Sequence, residues 1–563
     1  MKRQSLILAV LIMFFLFTSC TQQNPNLNNS ELSETGQQTT ETSLSVSVIP
    51  SPTPKPKMKA SDLRIWEDPD LPREFIGSVS IPDGMKKEYK QDKADILLKV
   101  MAGDQPSSIQ SEWVYVLVVP FPTIMDGLTL KELKKFWMDG IKTSFGSQPI
   151  LMTEETRSIF EEIWGKPRMG SVKIMDEDMI LKEAWDKMPS WAIIPFGQLE
   201  PRWKVLSIDG LSPLDKGMDI QKYPLTVNFG IQANADVFEA IDEGDFALTL
   251  PSGNFNPDHL TNVMLTGTTA MVRYLALRME EEGVLYPSEK IGELLRSADI
   301  THISNEVSFY DQCPPANPVR REMRFCSAPE YFDLLEDIGT DVIELTGNHI
   351  LDWGYDPFLY TIKQYDKNGM KYYGGGINLD DAKKPLLMEN NGNKIGFIGC
   401  SPSGPENVWA TKDLPGSAKC DWKYIQGQID QMLEDGYLPI FTFQHIEADL
   451  VKPHSSQRID FQAVSDMGAV IVSGSQAHFP QAMTFKNGKF IHYGLGNTFF
   501  DQMDEYHRSG FMDEQVIYEG RHISTRLYTI ILEDHAQPRL MTDEERESFL
   551  TAIFEASEWE KIP

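Results

Sequence analysis

The chain has 563 residues and a formal net charge of -30, with 82 Asp and Glu against 52 Lys and Arg. An acid excess of that size opposes long-range attraction to nucleic acid or to an anionic membrane surface. Hydrophobic residues make up 41% of a length greater than one core usually serves, so more than one folded domain is expected.

The first twenty residues, MKRQSLILAVLIMFFLFTSC, place Lys2 and Arg3 before an apolar run from Leu6 to Phe17, with Thr18 and Ser19 before Cys20. The run is short for a membrane-spanning helix, and this arrangement is the shape of an export signal. The small residues before Cys20 predict a lipoprotein signal over residues 1–20, with Cys20 acylated and the protein extracytoplasmic, anchored to the cell membrane. An ordinary secretory signal with a chance cysteine is the alternative. Residues 21–60 are rich in Gln, Asn, Ser, Thr and Pro and carry too little apolar surface to offset chain ordering, which predicts a disordered linker. The remaining cysteines, Cys313, Cys326, Cys400 and Cys420, are not spaced as a zinc ribbon. Proximity on an oxidising side suggests disulfides pairing 313 with 326 and 400 with 420, buried free thiols being the alternative.

From 61 to 250, apolar runs alternate with helical patterns, which indicates α/β layering. WVYVLVVPF (113–121) reads as a buried strand, and LTLKELKKFWMDGI (128–141) as an amphipathic helix starting at a Thr cap. Together with the stretch from Ser207 to Pro213 (SIDGLSP) and YPLT at 223–226, this order resembles part of a type 2 periplasmic solute-binding protein of the phosphate-binding kind. The resemblance implies an anion-holding turn at a helix N-terminus, yet that position carries Thr153, Glu154, Glu155 and Thr156. Two carboxylates there would repel a phosphate dianion. A scaffold role, or binding of some other small molecule, is expected.

From 255 to 545, five segments deliver polar side chains where a strand gives way to a loop: NVMLTGTTAMVR (262–273), ADITHISNEVSF (298–309), TDVIELTGNHILDWG (340–354), LPIFTFQHIEAD (438–449) and GAVIVSGSQAHFPQ (468–481). A sixth stretch, KFIHYGLGNTFFDQ (489–502), follows. Carboxyl ends of successive strands are where α/β sheets build their sites. A single Asn-His after a strand is commonly just a turn; the ordered set carries more weight.

This order resembles the CapA family of poly-γ-glutamate capsule proteins, a branch of the calcineurin-like metallophosphoesterase superfamily. The resemblance implies a four-layer α/β/β/α sandwich. It implies metal ligands at Glu306, Asn348, His445 and His478, and a catalytic His349 oriented by Asp352, for which a plain helix cap is the alternative. Thr268, Asn305, Glu447, Gln476 and Asn497 are expected to line the site, with a solvated loop acid as the alternative for Glu447. Two positions depart from the pattern. Thr268 stands where the family has its bridging aspartate, and Gln476 where it has a histidine. A hydroxyl is a poor replacement for an anion between two dications, so one divalent ion (Mn, Fe, Zn or Mg) is expected rather than two.

Two functions follow. One is a metal-dependent hydrolase or transferase in capsule-type exopolymer synthesis or processing; the other is a non-catalytic polymer-binding or assembly protein with a degenerate metal site. Expected partners are the envelope polymer or its precursor, the membrane through the lipid anchor and capsule-synthesis membrane proteins, with no nucleic acid.

Overall fold

The apolar run read from the sequence is the centre of the first module. In the computed structural model Trp113–Pro120 are all buried, inside the strand Gln110–Pro120. The structure describes residues 58–562 except 102–108, 144–145, 243–246 and 320–322; the export-type segment, Cys20 and nearly all of the linker lie outside the described residues. Among the described residues no helix is long and apolar enough to cross a membrane.

Gln110–Pro120 pairs antiparallel with Trp191–Pro195 on one side and with Thr226–Ala233 and then Trp203–Val205 on the other, within one nine-stranded mixed sheet. The helix Leu130–Asp139 beside it starts on a capping box. Thr129 accepts from the Glu132 backbone N–H, the Glu132 carboxylate accepts from Thr129 N–H, and the helix ends at Gly140 in the left-handed region, φ 64°. Leu133, Phe136 and Trp137 form its buried stripe.

The strands from Leu260 onward form two larger sheets. An eight-stranded sheet has Leu260–Thr269, Ile300–Asn305, Thr340–Glu344 and Lys371–Tyr373 as parallel neighbours, extended antiparallel by Ser509–Tyr518, Arg521–Glu533 and Gln537–Leu540. A six-stranded sheet has Asn393–Cys400, Leu438–Phe443, Ile471–Gly474 and Lys489–His492 in parallel. Successive side chains face opposite sides of a strand. Val263, Leu265, Ile300, Val342, Phe397, Ile440 and Ile471 therefore pack between the sheets. Their neighbours Met264, Ile303 and Ile343 pack outward with the helices Arg273–Glu282 and Tyr355–Lys367. Ile398, Phe441 and Val472 pack outward with Trp422–Glu434 and Ser455–Met467. The result is the α/β/β/α sandwich, and its strands read as continuous apolar runs because both faces are covered.

Two disulfides, Cys313–Cys326 and Cys400–Cys420, close loops on this module, with Cα separations of 5.8 and 5.1 Å. Its last helix, Asp543–Ala556, runs past the expected end at 545 and packs on both modules. Arg546 donates to the Ile124 carbonyl at 2.7 Å, and Phe121 of the first module lies among Phe485, Phe490, Phe554 and Trp559. Sequestering a Phe side chain of this kind is worth about 1.5–3 kcal/mol.

Candidate functional site at the strand ends

Parallel strands put all their carboxyl ends on one side, and four of these ends meet across the sandwich. Thr268 Oγ1 donates to the Ser475 carbonyl at 2.6 Å, Ser304 Oγ and Ser475 Oγ are 2.8 Å apart, and Gln444 Nε2 donates to Ser304 Oγ at 3.0 Å. Gly267 permits the approach: a Cβ there would sit 2.2 Å from the Gly496 carbonyl oxygen. Thr268 is therefore spent on holding the two sheets together, and its hydroxyl does not stand in for a bridging carboxylate.

Beyond this seam four predicted residues converge. Gln476 Nε2 donates to Glu306 Oε1 at 3.4 Å and to Asn348 Oδ1 at 3.3 Å, while His478 Nε2 lies 3.7 Å from Glu306 Oε2. His478 is held in the left-handed region, φ 54°, with Nδ1 2.8 Å from Asn497 Oδ1. Burial works against the His478 charge, but Glu306 beside it outweighs burial and raises its pKa above the ordinary imidazole value. Burial pushes the other way on Glu306, yet His478, His349 and the Gln476 amide hold its carboxyl below the usual range.

His349 sits at the rim. Its Nδ1 is 2.8 Å from Asp352 Oδ2, which also accepts the Phe325 backbone N–H at 2.8 Å. Burial opposes protonation of His349, but the Asp352 hydrogen bond and the Glu306 charge outweigh it and raise its pKa. Asp352 is not the helix cap: the following helix has Gly354 at its N-cap position. The Phe325 ring packs edge-on to His349 with centroids 4.9 Å apart, so the loop closed by Cys313–Cys326 forms a wall of the site.

Three predicted residues stand apart. Asn305 turns to the helical layer, donating to the Tyr365 hydroxyl at 2.7 Å and the Val307 carbonyl at 2.8 Å. His445 is bound at Nε2 to Asp460 Oδ2, 2.8 Å away, and its buried Nδ1 has no hydrogen-bond partner; burial lowers its pKa despite Asp460. Glu447 is exposed on the following loop, where its charge still reaches His349 and His478. Sequence reasoning missed Asp460, Gln444 and Glu344. Glu344 is a buried carboxyl accepting from Thr346 at 2.6 Å, its pKa raised by desolvation. In the first module the Thr153 hydroxyl caps its own helix by accepting from Thr156 N–H at 3.2 Å, with Glu154 and Glu155 in the first turn.

Among the described residues no group of three His, Cys, Asp or Glu side chains is placed to hold a metal ion. The converging cluster has two, Glu306 and His478, plus the amides Asn348 and Gln476. Its pairwise gaps of 3.3–3.7 Å are spacings at which ligands surround one small cation. Gln476 Oε1 is buried without a partner, and turning the amide over would direct that oxygen to Glu306 and Asn348. With the amide so turned, the cluster would offer a single divalent ion a donor set with oxygens in the majority, and it has no carboxylate placed to bridge a pair.

Residues 262–502 match the family model described as bacterial capsule synthesis protein PGA_cap. The chain is 25% identical over 248 residues to the PGA biosynthesis protein CapA of Bacillus subtilis (strain 168), which covers 44% of this chain and 64% of that protein. It is 26% identical over 186 residues to the capsule biosynthesis protein CapA of Bacillus anthracis, 32% of this chain and 45% of that protein. The chain thus spans between about half and two thirds of the length of these relatives. Among solved structures, a 5'-nucleotidase precursor from Thermus thermophilus aligns over 52% of this chain and 58% of its own at 12% identity, with a TM-score of 0.30 too low to carry an argument. Residues 262–502, built as a sandwich with its polar groups at the strand ends, thus form a region similar to bacterial capsule synthesis proteins.

Proposed function

We propose that the protein acts in capsule or poly-γ-glutamate-type polymer synthesis as a metal-dependent hydrolase or transferase with a single-ion site. The convergence of Glu306, Asn348, Gln476 and His478 carries this reading. Glu306, Asn348 and His478 would hold the ion, with Gln476 turned to offer its carbonyl oxygen. When bound, a divalent ion polarises a phosphoryl or acyl oxygen. His349 holds a proton that it can give to a leaving oxygen, because Asp352 fixes the ring through Nδ1 and leaves Nε2 to face substrate. The substrate is the envelope polymer or its precursor.

Equilibrium titration with Mn2+ and elemental analysis test the ion: one per chain is expected, abolished by Glu306→Ala and by His478→Ala. No bound Mn2+ at millimolar concentration overturns the reading. Turnover of a phosphodiester ester, lost in His349→Ala, tests the chemistry.

A second reading, a non-catalytic polymer-binding or assembly protein, is favoured by Thr268, whose hydroxyl is committed to the Ser475 carbonyl where a two-metal enzyme needs an anion. Ion binding without turnover on any phosphoryl or acyl ester selects it. In either case we propose export and lipidation at Cys20, with capsule-synthesis membrane proteins as neighbours. Cys20→Ser is expected to release the protein from the membrane fraction.

A further inference from the structure

A cavity of about 390 Å3 lies between the two modules, away from the strand-end site. The first module contributes Phe121, Lys204 and Asp215 among others; the second contributes Ser524–Thr529 and the last helix through Arg546, Leu550 and Phe554. A volume of that size holds a drug-sized molecule.

The charges on its wall cancel against one another. Lys204 Nζ is 2.7 Å from Asp126 Oδ1 and donates to the Thr123 and Ile124 carbonyls at 2.7 and 3.0 Å; Arg546 donates to the same carboxylate at 2.9 Å. Arg526 bridges the modules, donating to Glu514 Oε2 at 2.5 Å, to Asp215 and to the Leu214 carbonyl at 3.2 Å. The three cations of the wall are thus met by Asp126 and Asp215 on it and by Glu514 behind it, which leaves no unpaired charge to attract an ion. Burial also pushes the Lys204 ammonium down to about 8, as a dry wall does. Phe121, Leu527, Leu550 and Phe554 supply apolar surface.

Polar capacity remains in two places. Ser524 and Thr529, 1% and 2% exposed, both line the cavity, and neither hydroxyl has a hydrogen-bond partner. Six consecutive residues, Ser524–Thr529, line it; the edge strand Gln537–Leu540 pairs only with Ile530–Glu533 and Met541 N–H donates to the Thr529 carbonyl at 2.9 Å, which, among the described residues, leaves Ser524–Tyr528 without a strand on that side. That length of strand has outward backbone N–H and C=O groups without a strand partner, which a ligand's hydrogen-bonding group can take up. We infer that this cavity is a binding site for one uncharged, mainly apolar small molecule bearing a hydrogen-bonding group. It also relocates ligand binding by the first module from the self-capped turn at Thr153–Thr156 to the seam with its neighbour.

N-phenyl-1-naphthylamine, uncharged and apolar with one N–H, is the probe. Titrated into the full chain, it should show saturable fluorescence enhancement with one site per chain. Ser524→Leu and, separately, Leu550→Trp fill the cavity from opposite walls and should each weaken that site at least tenfold. The variants share the wild-type N-terminus, so dye held elsewhere cancels in the comparison. Circular dichroism identifies a variant that fails to fold, and the other then decides. Absence of a saturable site, an affinity unchanged in the folded variants, or equal affinity for the anionic probe 1-anilinonaphthalene-8-sulfonate would overturn the inference.

Discussion

His492 and Asp513 join the two sheets of the sandwich at its driest point. His492 ends a strand of the six-stranded sheet, Asp513 lies in a strand of the eight-stranded sheet, and both side chains are 0% exposed. Nδ1 is 2.6 Å from Asp513 Oδ2, and Nε2 is 3.2 Å from the Gln481 carbonyl, which can only accept. Both ring nitrogens are thus engaged, Nδ1 with a carboxylate and Nε2 with a carbonyl. Removing one partner strands the other in a medium without water, at a cost of about 3–5 kcal/mol. Replacing both by apolar groups of similar volume removes the burden as well as the bond. We expect His492→Phe and Asp513→Leu each to lower the unfolding free energy from urea titration by about 3–5 kcal/mol, and the double variant to lie within about 1.5 kcal/mol of wild type. Single variants costing under about 1 kcal/mol, or a double variant equal to the sum of the singles, would refute the reasoning.

Acid should weaken the fold through His302 and His522, both buried, whose imidazoles desolvation holds down to about 3. The unfolded chain takes up these protons near pH 6.5. Stability is therefore fully present above 6.5 and lost as pH falls toward 3, by about 1.4 kcal/mol per unit per histidine. Urea midpoints at pH 7.5 and 5 should differ less in His522→Gln than in wild type. Gly267→Ala should destabilise by about 3 kcal/mol, the upper range for overpacking, since its Cβ meets a carbonyl that cannot move; a thermal melt checks it. Opening Cys313–Cys326 by Cys313→Ala should cost about 3 kcal/mol and broaden the His349 ring signals in NMR, because Phe325 then loses its anchor on Asp352.

What could be read from the sequence was whatever repeats along the chain. Sandwich strands with both faces covered are rich in apolar residues, and polar residues gather at and just beyond their carboxyl ends, so Glu306, Asn348, His349 and His478 stand out. Thr129 and Glu132 announce the helix after the central strand because a capping box is local. Features that depend on direction or on distant partners were hidden. Asn305 and Glu306 are adjacent and both polar, but the pleat sends them to opposite sides and only Glu306 enters the site. Asp460, the partner of His445, comes from a helix that the chain reaches only after a further loop. Thr268 looks like a lost ligand, and only the fold reveals it as the fastener of the two sheets.

The position of the final helix has a consequence for assembly order. Phe121, made early, finds its aromatic neighbours Phe554 and Trp559 only when the end of the described chain emerges, and Lys182 waits for the carbonyl of Ile562. The first module consequently keeps an open apolar surface until the segment 543–562 is made, and that segment latches the two modules together. A chain cut at residue 545 would keep its strand-end residues and lose that latch, so its instability would be felt first in the module farthest away in sequence.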